Sequence, residues 1–213
     1  MGADSQAARP RPARPRDAAS LILFRRTAGG IDVLMGRRAK KHKFLPDVYA
    51  FPGGRLDAAD LLARPSRPLR ADVVRRMTDH CSALRAQALA IAAVREAHEE
   101  TGLMLGETRD GALLPDLAAL DYLARAITPS QSPIRFHARF FFADASAARG
   151  RLGGSGELID LDWRPTSEAL RLPLADVTEF ILAEIGRRLG EGGANMPAAL
   201  WGHVNGRPRV RRG

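Results

Sequence analysis

The stretch Arg95-Glu96-Ala97-His98-Glu99-Glu100-Thr101-Gly102 decides how this sequence folds. It places three carboxylates within five residues, directly after the apolar run Leu89-Ala90-Ile91-Ala92-Ala93-Val94. From Leu84 to Glu100 the residues are mostly Ala, Leu, Arg, Gln and Glu, with no Gly or Pro, which predicts a helix. Gly102 supplies the left-handed residue expected just past its end. At about 100° per residue, Glu96, Glu99 and Glu100 share an arc of roughly 100°. Like charges one turn apart repel, and acids at a helix C-terminus oppose the macrodipole. A hard divalent cation removes that conflict, because Mg²⁺ takes carboxylate oxygens, waters and substrate phosphates. Taken alone, the run is better explained as a solvated acidic face, partly neutralised by the Arg95–Glu99 pair at i, i+4.

The upstream segment Phe51-Pro52-Gly53-Gly54 changes that balance. Together the two segments resemble the Nudix box. Its usual form is Gly, five residues, Glu, seven residues, then Arg-Glu-(apolar)-x-Glu-Glu-x-Gly-(apolar). The second half is complete from Arg95 to Leu103. The first half is Gly54, five residues, then Asp60 in place of Glu. Between Asp60 and Arg95 lie 34 residues, so the box carries a 27-residue insertion. Gly53-Gly54-Arg55-Leu56-Asp57-Ala58-Ala59-Asp60 resembles the opening of a split-box branch that includes peroxisomal CoA diphosphatases. Asp at the position of Asp60 is usual in that branch.

The resemblance implies an α/β/α sandwich with a mixed β-sheet and a helical insertion inside the box. Periodicity by itself gives only α+β. The implied activity is metal-dependent hydrolysis of a diphosphate that links a nucleoside to another moiety. Glu96, Glu99 and Glu100 would hold Mg²⁺ or Mn²⁺, with backbone near Gly54 contributing. Arg95 would orient the acids, and Glu157 would supply a further carboxylate from outside the box. Two consecutive glycines, Gly53 and Gly54, let backbone approach the ligand.

The basic loop Arg37-Arg38-Ala39-Lys40-Lys41-His42-Lys43 lies between a strand and the Gly-Gly turn. As composition it is a solvated loop; by position it is a clamp for phosphates. CoA-cleaving members of the family carry a signature upstream of their Phe-Pro-Gly-Gly. Arg38, Ala39, Phe51, Pro52, Gly53 and Gly54 match it here, while Met35, Gly36, Lys43 and Asp47 depart. Asp47 replaces a glycine, so a different backbone is expected there. Arg38, Lys43, Phe51, Gly53 and Gly54 are therefore the expected substrate-binding set, with CoA or acyl-CoA as lead substrate. ADP-ribose, NADH and nucleotide sugars are alternatives, since one box serves all of them. A non-catalytic ligand sensor on the same scaffold is a third reading, and RNA binding or cap removal a fourth.

The 213 residues suffice for one domain with a proper core. Residues 1–17 are expected as a disordered basic tail, 18–190 as the Nudix domain with its insertion at 61–89, and 191–213 as a flexible basic tail. Of the net charge of +9, residues 1–17 contribute +2 and residues 201–213 contribute +4. The charge is thus concentrated at the ends, where weak phosphate contacts are the most that nucleic acid would find. Strands are expected at 19–24, 31–35, 49–51, 120–127, 134–142 and 157–163, and helices at 71–77 and 174–189. His137 is expected as an ordinary exposed histidine on a polar strand face. The single Cys81 excludes an internal disulfide and fits a reducing compartment, so a cytoplasmic location is expected. No apolar run approaches the length of a membrane span. The expected partner is a small-molecule diphosphate, and a homodimer is left open.

Overall fold

The computed structural model describes residues 13–40, 45–190, 196–204 and 206–212. The first half runs β1 (Arg16–Thr27), β2 (Gly30–Arg38), β3 (Tyr49–Ala50), β4 (Gly53–Arg55), α1 (Ala71–Thr78) and α2 (Ala83–Thr101). The second half runs β5 (Gly106–Arg109), β6 (Ala112–Pro115), β7 (Asp121–Ile127), β8 (Phe136–Asp144), β9 (Leu158–Pro165), α3 (Thr166–Ala169), α4 (Asp176–Leu189), β10 (Ala199–Val204) and β11 (Arg207–Arg212).

The main sheet is ordered β11-β10-β7-β8-β1-β2-β3, with β4 paired to β1 and β9 to β2. It is mixed: β1 runs parallel to β8 and β10 parallel to β7, while the other pairs are antiparallel. Strand alternation sends Ala19, Leu21 and Leu23 of β1 to one face and Ile22 and Phe24 to the other. Both faces are covered, which is why β1 is a continuous apolar run. Val73 and Met77 of α1 and Leu89 to Val94 of α2 close one face; Ile181, Leu182 and Ile185 of α4 close the other. Helices on both faces of a mixed sheet make the expected α/β/α sandwich.

The site is positioned by a splay in this sheet. β1 pairs with β2 only near their shared hairpin, from Phe24–Val33 to Thr27–Gly30. Beyond it the two strands part. β3 fills the gap against Gly36 and Arg37 of β2, and β4 fills it against Ala18 to Ser20 of β1. The Phe-Pro-Gly-Gly turn is thereby wedged between two strands and beneath α2.

The insertion folds as α1 and the first turns of α2, so one uninterrupted helix runs from the insertion into the acidic segment. Ser82 caps it, its hydroxyl accepting from the Arg85 N–H at 3.3 Å. Gly102 ends it with φ +73°.

Several expectations are corrected. Arg16 and Asp17 belong to β1, and Asp17 pairs with Arg85 and Arg139; residues 1–12 lie outside the described set. Residues 199–212 are not a loose tail: β10 and β11 extend the sheet, and Ala199 and Trp201 are buried against the α4 side. The composition hid β11, because all six of its residues are exposed; backbone pairing with β10 and an ion pair from Arg212 to the buried Glu184 of α4 hold it. The segment after Gly102 contains a hairpin, β5–β6, around Asp110 and Gly111, both at positive φ, the usual chemistry of a two-residue turn. On β8, Phe141 and Arg139 lie on the side read as polar, and both are buried. His137 is half-buried there rather than exposed. Among the described residues, no helix is long and apolar enough to cross a membrane.

Two glycines should respond in opposite senses. A Cβ on Gly102 would sit at positive φ and 2.7 Å from the Arg151 carbonyl oxygen, so Gly102→Ala is expected to lower the unfolding free energy by about 1–3 kcal/mol. Gly186 lies inside α4 with nothing within 4 Å of its would-be Cβ, so Gly186→Ala is expected to raise it by up to about 1 kcal/mol. Urea denaturation of the two variants checks both signs.

Candidate active site

The end of α2 lies against β4. The Gly53 N–H donates to Oε2 of Glu100 at 2.8 Å. A Cβ on Gly54 would fall 2.3 Å from the Glu96 carboxylate, so only glycine lets the turn approach that acid. The glycines and the first and third acids of the run are thus in direct contact, although more than 40 residues separate them in sequence.

Arg95 organises the rest. Its Nε and Nη2 donate to the two oxygens of Asp60 at 2.9 and 3.0 Å, a bidentate pair. Its Nη1 reaches Glu96 at 3.0 Å and Glu99 at 3.2 Å, and Nη2 also donates to the Arg55 carbonyl at 3.2 Å. Asp60 is 2% exposed and also accepts from the Asp57 N–H at 2.8 Å. Its shorter reach, relative to the glutamate of the usual box, is met by burial directly under Arg95. Asp60 was visible in sequence as a box position, but its role as the anchor of Arg95 was not. Nor was that of the Arg55 carbonyl, since a backbone acceptor leaves no trace in composition.

The electrostatics are those of crowded, desolvated acids. Glu100 is 4% exposed. Burial pushes its pKa up to about 7, with the Glu96 and Glu157 charges adding to the rise, against the opposing Gly53 hydrogen bond and the Arg38 charge. Burial likewise raises Glu96, and Glu99 and Asp57 add to it, while Arg95 opposes. Glu99 is half exposed at the helix surface. The Arg38 guanidinium is shifted down by burial and held up by the charges of Glu100 and Glu157. Glu157 reaches this neighbourhood through the pairing of β2 with β9: Arg38 lies opposite Leu158, and the Ala39 N–H donates to the Glu157 carbonyl at 3.1 Å.

The structure therefore brings together Arg38, Gly53, Gly54, Arg95, Glu96, Glu99, Glu100 and Glu157. It does not bring in Phe51, whose ring is 6% exposed in the core on the α4 side; strand alternation aims it away from the acids. Lys43 lies outside the described residues. Asp47, which replaces a glycine of the CoA signature, has φ +61° and pairs with Arg37 at 3.2 Å. Its positive φ is a backbone that glycine adopts readily and few other residues do.

The donor set fits a hard divalent cation. Among the described residues no three acidic, His or Cys side chains converge as a ready cage. The expected set of Glu96, Glu99 and Glu100 is thus not preassembled, although Mg²⁺ needs only one or two carboxylates together with substrate phosphates. Glu100, raised by burial and by the Glu96 charge, and Glu96, raised by burial and by Glu99 and Asp57, are the acids a cation would relieve, with Glu99 on the adjoining surface.

Two expectations follow. Asp60→Asn keeps an acceptor but removes the charge under Arg95, so stability should fall by about 1–3 kcal/mol and hydrolytic activity by at least about tenfold, read by denaturation and by steady-state rates. Between the ordinary carboxylate pKa of 4.5 and about 7, the folded metal-free protein holds a proton on Glu100 that the unfolded chain has lost. Its stability should therefore decline as pH rises through that window, by about 3 kcal/mol, and level off above it. Glu100→Gln should remove that decline when unfolding is measured in EDTA across pH.

The NUDIX domain family model matches residues 14–184. The structure is similar to that of a NUDIX hydrolase from Alicyclobacillus acidocaldarius, with 29% identity, 80% of this chain and 90% of that chain covered, and a TM-score of 0.62. It also shares its fold with a MutT protein from Bacillus halodurans, at 14% identity over 92% and 97% of the two chains and a TM-score of 0.52. The NUDIX domain of NrtR from Shewanella oneidensis, solved with ADP ribose, aligns at 17% identity over 84% and 90% with the same score. No curated protein sequence matches the chain. With a family match across most of its length and the box residues assembled at one site, the chain belongs to the Nudix family, hydrolases of pyrophosphate bonds that generally use a divalent metal such as Mg²⁺ or Mn²⁺.

Proposed function

We propose that this chain hydrolyses the diphosphate bond of a nucleoside diphosphate linked to another moiety, with CoA or acyl-CoA as lead substrate. The observation that carries the reading is the convergence of Glu96 and Glu100 on the Gly53–Gly54 turn, with Arg38 beside them. A buried and a half-buried acid set against a basic group provide for a cation and for a phosphate in one place.

When bound, Mg²⁺ or Mn²⁺ supplies charge neutralisation at phosphate oxygens and activation of water. Glu96, Glu99 and Glu100 are the residues assigned to hold it. Arg95, charged and locked onto Asp60, fixes the carboxylates in place and carries no proton in the reaction. Arg38 grips the diphosphate, its guanidinium fork suited to two phosphate oxygens. Lys43 is assigned the same task from the same loop. Glu157 shares Arg38 with Glu100 and is assigned as acceptor of the proton that leaves the attacking water. Water adds to one phosphorus, the bridging P–O bond breaks, and the bridging oxygen leaves with the other phosphate. From CoA the products would be a phosphopantetheine part and adenosine 3′,5′-bisphosphate.

CoA leads because Arg38, Ala39 and the Phe-Pro-Gly-Gly segment keep the spacing of the CoA signature, and the positive φ of Asp47 is compatible with a glycine at that position. The test is a hydrolysis panel of CoA, acyl-CoA, ADP-ribose, NADH and nucleotide sugars with Mg²⁺ or Mn²⁺, run beside Glu99→Gln, Glu100→Gln and Arg38→Gln. Metal-dependent cleavage of CoA is expected, with losses of about 100-fold or more in the glutamate variants and a raised KM in Arg38→Gln. Cleavage of ADP-ribose or sugars in its place would keep the reaction and overturn CoA. Tight binding without cleavage of any substrate would overturn the enzyme reading in favour of a sensor.

A further inference from the structure

A cavity of about 760 Å³ opens on the α2 side of the sheet and contains none of the box acids. Its walls come from three places: the insertion, through His80, Cys81 and Arg85; the start of β1, through Arg16 and Asp17; and the α2-facing side of β8, through His137 and Arg139. Arg55 and Asp57, just past the Gly-Gly turn, complete it. With Arg14, five arginines line the space against the two aspartates Asp17 and Asp57.

The charge is not cancelled internally. Asp17 is shared between Arg139 and Arg85, so one carboxylate serves two guanidinium groups. Arg139 is 2% exposed, and a buried cation with half a counter-ion is costly unless a further anion is available. Arg16 and Arg55 are exposed at the mouth, and among the described residues neither side chain has a hydrogen-bond or ion-pair partner. His137 is held down to about 4 by burial and by Arg139 and Arg125, with Asp17 opposing, so it stays neutral among cations. Guanidinium forks around a space that excludes further positive charge are suited to phosphate.

The cavity is joined to the acid site by two elements. Arg55 lines the cavity while its carbonyl accepts from Arg95. Arg85 and Glu96 are eleven residues apart on α2, a rotation that returns to within about 20° of the same helix face and advances roughly 16 Å. An extended ligand along that face would have one end at the acids and the other in the cavity.

We propose that this cavity is an anion site for a phosphate monoester group, built by the insertion beside the hydrolytic site. The group has two sources: a second phosphate carried by the substrate itself, or a free phosphate compound. The first source rests on the hydrolase reading above; the cavity's chemistry does not.

The test uses the full chain and two readouts. Inorganic phosphate is titrated while the imidazole resonances of His137 and His80 are followed by NMR, in the native protein, in Arg16→Gln/Arg55→Gln and in Arg85→Gln. Thermal unfolding confirms that the variants fold; Arg16 and Arg55 are exposed, which keeps the double variant informative if Arg85→Gln fails to fold. Saturable shifts are expected, with His137 titrating higher when phosphate is bound and affinity at least about tenfold weaker in the variants. Absence of a saturable shift, or affinity unchanged in the variants, overturns the site. The second readout compares CoA with dephospho-CoA, which lacks the 3′-phosphate. A KM raised in the variants for CoA alone assigns the site to the substrate's own phosphate. Phosphate binding without that discrimination assigns it to a free phosphate compound. If neither CoA form is cleaved the hydrolase reading fails on CoA, and the phosphate titration still decides the cavity.

Discussion

The ion pair between Arg95 and Asp60 is the constraint on which the site depends. It closes a segment of 34 residues and joins the two halves of the box at Asp60 and Arg95. The entropy of closing a loop grows slowly with its length, so a long insertion costs little more than a short one if its ends are pinned. Here the pinning is a bidentate charged contact at a fully buried carboxylate, reinforced by the Arg55 carbonyl and by two glutamates of the same helix. The Gly-Gly turn is fixed independently, in the gap where β1 and β2 part. Two separate restraints therefore meet at one point.

What they create is an arrangement that the protein alone does not favour. Glu96 and Glu100 are removed from water and set near each other, and both resist ionisation. A site that must concentrate positive charge on a phosphate needs oxygen donors that are already desolvated and already oriented. The unfavourable energy of the empty arrangement is thus tied to its competence for a cation. The fold absorbs it through α2, whose apolar face from Leu89 to Val94 is buried across the sheet. Each large aliphatic side chain buried there contributes about 2 kcal/mol.

Much of this was legible in the sequence. Helix propensity, three clustered acids and a terminal glycine located α2 and its end, apolar runs located β1, β2 and β7, and the alternation of Phe136, Ala138, Phe140 and Phe142 located β8. What escaped was whatever depends on backbone or on tertiary context. Phe51 has the character of a ligand-contacting aromatic, yet the strand direction turns it into the core. Arg139 and His137 alternate with phenylalanines as a solvent face would, but Asp17 from the far end of the chain and the α2 layer enclose them. Asp47 has a side chain that argues against a glycine-like turn, and its ion pair with Arg37 accompanies that turn all the same. β11, made of Arg, Pro and Val, has no apolar face to announce it.

That last strand bears on how the molecule meets copies of itself. β11 is the rim of the main sheet, where a row of backbone N–H and C=O groups would offer any extended chain a template. Arg207, Arg209 and Arg211 populate that rim, while Arg212 is turned to Glu184 of α4, and the single proline of the strand, Pro208, lacks a backbone donor. Two sheets approaching rim to rim would bring like charges together before a single backbone bond could form. The basicity of the C-terminus, which in composition resembles an affinity for polyanions, is in three dimensions a guard on an open edge.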